Sequence, residues 1–171
     1  MSAAVQLAPQ MVVTLRKIKH SPSLSEETNA FTAEVYWDGV KVGFASNHGT
    51  GGPNDVDFID PANRARWNAF IQAQPPVPCE WGDGTPLKMS EDLFIGELVD
   101  ADLKAKDEAK LEKKFQKLAA KHRDAGYVLL VMAFGPEMIY VPIKPETMDR
   151  RVAEMNAKHG KGTPGAVKVY K

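Results

Sequence analysis

The sequence predicts an α+β fold: a single domain in which a largely antiparallel sheet packs against three or four helices. Three observations carry this expectation. "AFTAEVYWDGVKVGFAS" sets a two-residue Asp38-Gly39 turn between alternating apolar segments, and such turns need positive φ at both central positions. "YVLLVMAF" is a continuous apolar run bounded by glycines, and "EMIYVPI" follows it as a partner strand. Stretches with helical spacing and recognisable starts and stops lie between and after these strands. With 171 residues, 43% hydrophobic and 26% charged, the chain can bury a core of its own.

The elements follow in order. Residues 1–10 are small and polar and read as disordered. "MVVTLRKIKH" is a first strand with Val13 and Leu15 on one face, and "SPSLSEETN" is a polar loop. The hairpin turn sets Trp37 opposite Val40, Val35 opposite Val42, Ala33 opposite Phe44 and Phe31 opposite Ser46 on one side of the sheet. Tyr36 with Lys41 and Thr32 with Ala45 take the other side. Asp60-Pro61 opens a helix, with aspartate as N-cap and proline where a missing N–H costs nothing. Trp67, Phe70 and Ile71 form its buried stripe, and "QPPVP" ends it.

Residues 75–89 form a proline-rich connector. Ser90-Glu91-Asp92 starts a helical arm over 90–125 that Gly126 stops. Leu111, Phe115, Leu118 and His122 recur there at helical spacing, but "KAKDEAK" before them is charged all round. The arm is therefore either one solvated helix or two shorter ones. Pro142 assigns "EMIYVPI" to an edge or a strand end. Pro145 opens the last helix, with Met148, Val152 and Met155 as its apolar face and Gly160 as its stop. The basic tail, 160–171, is either disordered or a short edge strand. The domain proper spans 11–159.

The charges exclude little and locate something. The 22 basic and 22 acidic residues cancel, so no global field argues for nucleic acid or a membrane surface. Up to residue 85 the balance is −3, and beyond it +3. Cys79 is the lone cysteine, which leaves no internal disulfide and no cysteine-based zinc site. No metal or cofactor is expected. "MSAAVQLAPQMVV" lacks a secretory signal's basic start and apolar core, and no apolar run is long enough to span a bilayer. The expected compartment is the cytosol.

The hairpin has a consequence for chemistry. Its turn lies at one end, so its outer strand ends bring 23–29 and 47–55 together at the other. Ser25, Glu26, Glu27, Thr28, Asn47, His48, Gly49, Thr50, Gly51, Gly52, Asn54 and Asp55 then share one polar corner. Three functional readings fit it. Gly49, Gly51 and Gly52 offer backbone N–H groups to an anion or nucleotide, although no lysine or long helix follows as a P-loop requires. His48 with Glu26, Glu27 or Asp55 offers acid–base or metal-assisted hydrolysis, with Ser46 or Thr50 as the nearest hydroxyls. A glycine-rich loop also lets a partner protein approach closely. A purely structural reading stands beside these: a wide turn capped by Asn and Asp, with His48 solvated.

Elsewhere the signals are thinner. His122 sits on an apolar stripe, His20 and His159 have no visible partners, and Cys79 has no adjacent base. Lys104, Lys106, Lys110, Lys113, Lys114, Lys117, Lys121 and Arg123 make the second helical stretch basic. Asp107, Glu108 and Glu112 stand at helical spacing to relieve them, which is the pattern of a solvated face.

"SLSEETNAFTAEVYWDGVKVGFASNHGTGG" resembles a pattern in small uncharacterised proteins of bacteria, phages and plasmids. There a Ser-Glu-Thr-like start leads to "AF-A", a "DG-K-G" hairpin and "N-G-GG". The matching positions are Ser25, Glu27, Thr28, Ala30, Phe31, Ala33, Asp38, Gly39, Lys41, Gly43, Asn47, Gly49, Gly51 and Gly52. The resemblance brings no assigned chemistry. It implies an accessory factor of a mobile element that binds host factors or small signalling molecules, in the host cytosol if phage-encoded.

The expectation is thus a non-catalytic accessory binding protein that engages a host protein or a small anionic or nucleotide ligand through this corner. A small hydrolase or transferase using His48 with a carboxylate is the first alternative. A nucleic-acid-associated protein working through the basic 104–123 helix is the second, and thin aromatic and arginine readout argues against it. Exposed apolar hairpin surface and balanced charge point to a homodimer.

Overall fold

Asp38 and Gly39 both take positive φ, 47° and 82°, and fold the hairpin where the sequence puts it. In the computed structural model, which describes residues 11–79, 84–134, 137–159 and 167–170, that hairpin sits at the centre of a four-stranded antiparallel sheet. Its strands are β1 (Val13–His20), β2 (Phe31–Trp37), β3 (Val40–Asn47) and β4 (Asp55–Phe58), side by side in chain order. Then follow α1 (Asn63–Gln72), α2 (Glu91–Arg123), β5 (Val128–Phe134), β6 (Glu137–Ile143), α3 (Met148–His159) and β7 (Lys168–Tyr170). The mixed α+β class with antiparallel strands is as expected, and the strands divide into two sheets. The chain groups into two compact units, separated after Lys104. Residues 1–10, 80–83 with the first half of "WGDGTP", 135–136, 160–166 with Gly160 and the start of the basic tail, and 171 lie outside the described residues.

The expected hairpin register holds only next to the turn. Trp37 pairs with Val40 and Tyr36 with Lys41, but then β3 carries one extra residue and Val35 pairs with Gly43. From there Ala33 faces Ala45 and Phe31 faces Asn47, in place of Phe44 and Ser46. The cause is the neighbouring strand. A Cβ on Gly43 would stand 2.3 Å from the backbone oxygen of Asp57, so β4 approaches where only glycine fits, and a bulge forms beside it. Past the bulge the faces invert. Phe44 turns outward, 49% exposed, with the Lys41 ammonium 4.2 Å over its ring, while Ala45 and Asn47 turn inward. A second bulge, at Lys17 with φ 53°, kinks β1 and keeps Val13, Leu15 and Ile18 against the core.

Strand β4 has no counterpart in the sequence reading, which assigned Asp55 to the polar loop. Its alternation is nonetheless regular: Asp55 and Asp57 are exposed, Val56 is buried and Phe58 half-buried.

The core of the first unit is aromatic. Trp37 stacks on Trp67 at 6.0 Å, with Phe58, Phe70 and Phe94 around them. The Asp60 carboxylate accepts the Ala62 N–H at 2.9 Å, and α1 begins at Asn63, just beyond the expected proline start. Ser90 caps α2 by accepting the Leu93 N–H at 3.2 Å, and Ile95 and Val99 carry the first turns of α2 into this core. Glu91 clamps it by accepting from Trp67 Nε1 and pairing with Arg64 at 2.6 Å.

Helix α2 is one unbroken helix of 33 residues, about 50 Å long, which settles the alternative left open by its charged middle. Gly126 ends it at φ 80°, with the Tyr127 N–H reaching back to the His122 carbonyl. In the second unit, β5 is buried on both faces between β6 and β7. Leu129 and Val131 cluster with Phe115 and Ala119 of α2. The end of the basic tail does form an edge strand, β7, whose Tyr170 lies against Phe115 at 5.9 Å. Among the described residues, no helix is long and apolar enough to cross a membrane.

Division after Lys104 sharpens the charge asymmetry. The sequence up to that point holds 14 acidic and 8 basic residues, and the remainder 8 acidic and 14 basic.

Candidate functional site

The bulge in β3 decides what the polar corner is. It turns Asn47 inward, 7% exposed, and both ends of its amide are then used. The Oδ1 atom accepts the Gly49 N–H at 2.7 Å and the Thr28 hydroxyl at 2.9 Å. The Nδ2 atom donates to the Gly52 carbonyl at 2.9 Å and to Asn54 Oδ1 at 3.1 Å. The Gly49 carbonyl receives the N–H groups of Glu26, Glu27 and Thr28 at 2.9, 3.0 and 3.3 Å. Segments 23–29 and 47–55 therefore meet, as the hairpin geometry requires.

The glycines of the loop have different reasons to be glycine. At φ 88°, a Cβ on Gly49 would lie 2.1 Å from the Leu24 carbonyl oxygen, so the two segments touch backbone to backbone there. Gly52 faces open space. The N–H groups of Gly49 and Gly51, which an anion would need, already donate to Asn47 and to the Thr28 hydroxyl (3.4 Å). Ser25 is structural as well. Its hydroxyl accepts the Ala30 N–H at 2.9 Å, donates to the Ser21 carbonyl at 3.0 Å, and lies 3.2 Å from His20 Nε2.

Helix α2 completes the corner. Asn54 donates its N–H to Asp92 Oδ1 at 2.8 Å and its side-chain amide to the Asp92 carbonyl at 2.9 Å. Asn29 donates to Asp100 Oδ1 at 2.9 Å. Between loop and helix lies a cleft of about 600 Å³. Its apolar lining includes Phe31, Leu93 and Val99, and its charged lining is Asp92, Glu97 and Asp100. No lysine, arginine or histidine is among the residues that line it.

Of the residues expected to bind, Thr28, Asn47, Gly51, Gly52 and Asn54 line the cleft. Ser25, Glu26, Glu27, His48, Gly49, Thr50 and Asp55 do not. His48 is exposed, and no hydrogen bond or ion pair holds its side chain among the described residues. No group of His, Cys, Asp and Glu there could hold a metal ion. The half of the cleft contributed by α2 was missed, although a signal existed. Asp92, Gly96 and Asp100 recur every fourth residue, and a glycine inside a helix marks a face that something approaches closely. No family model matches the chain, and no curated protein or solved structure is detectably similar to it.

Proposed function

We propose that this chain is a non-catalytic binding protein, an accessory factor of the phage or mobile-element type. Its 23–29/47–55 corner takes a lysine- or arginine-bearing segment of a partner protein. The observation that carries this reading is a cleft with an apolar lining, three carboxylates and no cation to balance them. Such a wall concentrates negative potential and favours a cationic side chain whose stem lies on Phe31 and Leu93. The same charges disfavour a phosphate, and two of the three glycine N–H groups that would have cradled one, those of Gly49 and Gly51, are engaged within the loop. Of the two ligand classes the sequence left open, a host protein is thus the one the geometry supports. Acid–base chemistry at His48 finds no support, because that side chain stands outside the cleft with no carboxylate against it. The accessory context rests on the resemblance of the N-terminal pattern alone.

The test is direct. Labelled peptides bearing lysine or arginine are titrated against the full chain, with ATP and inorganic phosphate as competitors. The expected result is peptide binding that neither competitor displaces and that Glu97→Lys weakens by about tenfold or more. Glu97 is exposed, so its reversal leaves the fold intact. Displacement by ATP, or equal binding by the variant, would refute the reading.

A further inference from the structure

The second unit carries a surface that the corner does not explain. Lys110, Lys113, Lys114, Lys117 and Lys121 of α2 line one groove of about 580 Å³ together with Tyr140 of β6. We propose that this groove binds single-stranded nucleic acid, the lysines following the phosphates and Tyr140 stacking on a base.

Helix geometry makes the lysine set costly for the fold. Lys110 and Lys114, Lys113 and Lys117, and Lys117 and Lys121 are like-charge pairs four residues apart, each of which weakens the helix. The carboxylates that the sequence offers as relief are largely directed elsewhere. Glu112 accepts from the Tyr170 hydroxyl at 2.6 Å and from Gln116 at 3.0 Å, with Lys168 at 3.8 Å. Asp107 reaches only Lys110, in an exposed pair at 2.9 Å. Among the described residues, Lys113, Lys114, Lys117 and Lys121 have no ion-pair partner. A helix that keeps four such charges on one face has an external counter-charge to meet.

Phe115, the aromatic beside these lysines in the sequence, is buried, and the fold supplies an exposed one. Tyr140 is 47% exposed, and its ring is held against the edge of Phe115, centroids 6.5 Å apart. A held, half-open ring inside a basic groove is a stacking platform, which suits unpaired bases and has no use in gripping a duplex backbone. From Lys110 to Lys121 the helix rises about 16 Å, room for roughly four phosphates. The groove has no arginine fork to read base edges, so recognition is tolerant of sequence.

The experiment follows a fluorescein-labelled oligothymidylate bound to the full chain by anisotropy between roughly 50 and 300 mM salt. The logarithm of affinity should fall against that of salt with a slope of about −3, each phosphate contact in a single strand contributing about −0.7. Reversal of two exposed lysines, Lys113→Glu with Lys117→Glu, should weaken binding by about tenfold and flatten the slope. Tyr140→Leu should weaken it by about fivefold and leave the slope unchanged. Absence of binding at the lowest salt, a flat slope, or variants that bind like the parent would overturn the proposal. It would equally fall if polyglutamate displaced the oligonucleotide while Tyr140→Leu had no effect, a result that assigns the groove to an acidic protein.

Discussion

The corner of the first unit and the groove of the second make opposite use of their polar side chains. In the corner, the amides and hydroxyls of Asn47, Asn54, Thr28 and Ser25 are engaged with each other and with backbone. On the lysine face of α2, four cations stand without a partner among the described residues. The more eye-catching sequence, rich in Gly, Asn and Asp, thus builds largely structure, and the plainer lysine run keeps its charges available. Polarity in a sequence does not mark a site; polarity that the fold leaves unanswered does. The division of charge agrees, since an acidic excess up to Lys104 is matched by an equal basic excess beyond it.

The corner's glycines carry the largest expected effects. Gly49→Ala should destabilise the protein by about 3 kcal/mol, because the new Cβ meets the Leu24 carbonyl and the backbone sits at positive φ. Gly52→Ala, which meets nothing within 4 Å, should stay within about 0.5 kcal/mol. Urea unfolding measures both, and equal costs would mean that the loop is not tied at Gly49. Asn47→Ala comes next, at about 2 kcal/mol, since it strands the Gly49 N–H and the Gly52 carbonyl.

Smaller effects separate the units by pH. The pKa of the Tyr170 hydroxyl of β7 is pushed up to about 12 by burial and by the hydrogen bond it donates to the Glu112 carboxylate. Folding therefore favours the neutral phenol, so its contribution is complete below pH 10 and is lost as pH rises from 10 towards 12. In the first unit, hydrogen bonds from Lys41 and then Lys17 hold Glu34 down at about 2. Its contribution is present above pH 4.5 and is lost as pH falls towards 2. Amide exchange resolved by region should show β7 loosening in alkali and the outer face of β1–β3 loosening in acid. The reverse order would sink this assignment.

Much of the fold was legible because its signals are local. Asp38-Gly39 placed the hairpin, and from the hairpin alone followed the meeting of 23–29 with 47–55. The bulge was not legible, since it depends on β4 approaching Gly43 from the far side, and β4 was hidden by reading Asp55 as site chemistry. The unity of α2 could not be read from "KAKDEAK", whose charges give no periodicity to continue. The cleft was half-visible for a similar reason: its carboxylate wall comes from a helix some 40 residues further along the chain. Tyr140 among the lysines is likewise a neighbour that only the pairing of β6 with β5 creates.

Amide-shift mapping of a nitrogen-labelled sample decides whether the two surfaces select opposite charges. A lysine- or arginine-bearing peptide should move the signals of Asn29, Asn54, Glu97 and Asp100 and leave Lys113 and Lys117 in place. An oligothymidylate should do the reverse. If both ligands move one common set, or if phosphate moves the corner, the account is contradicted.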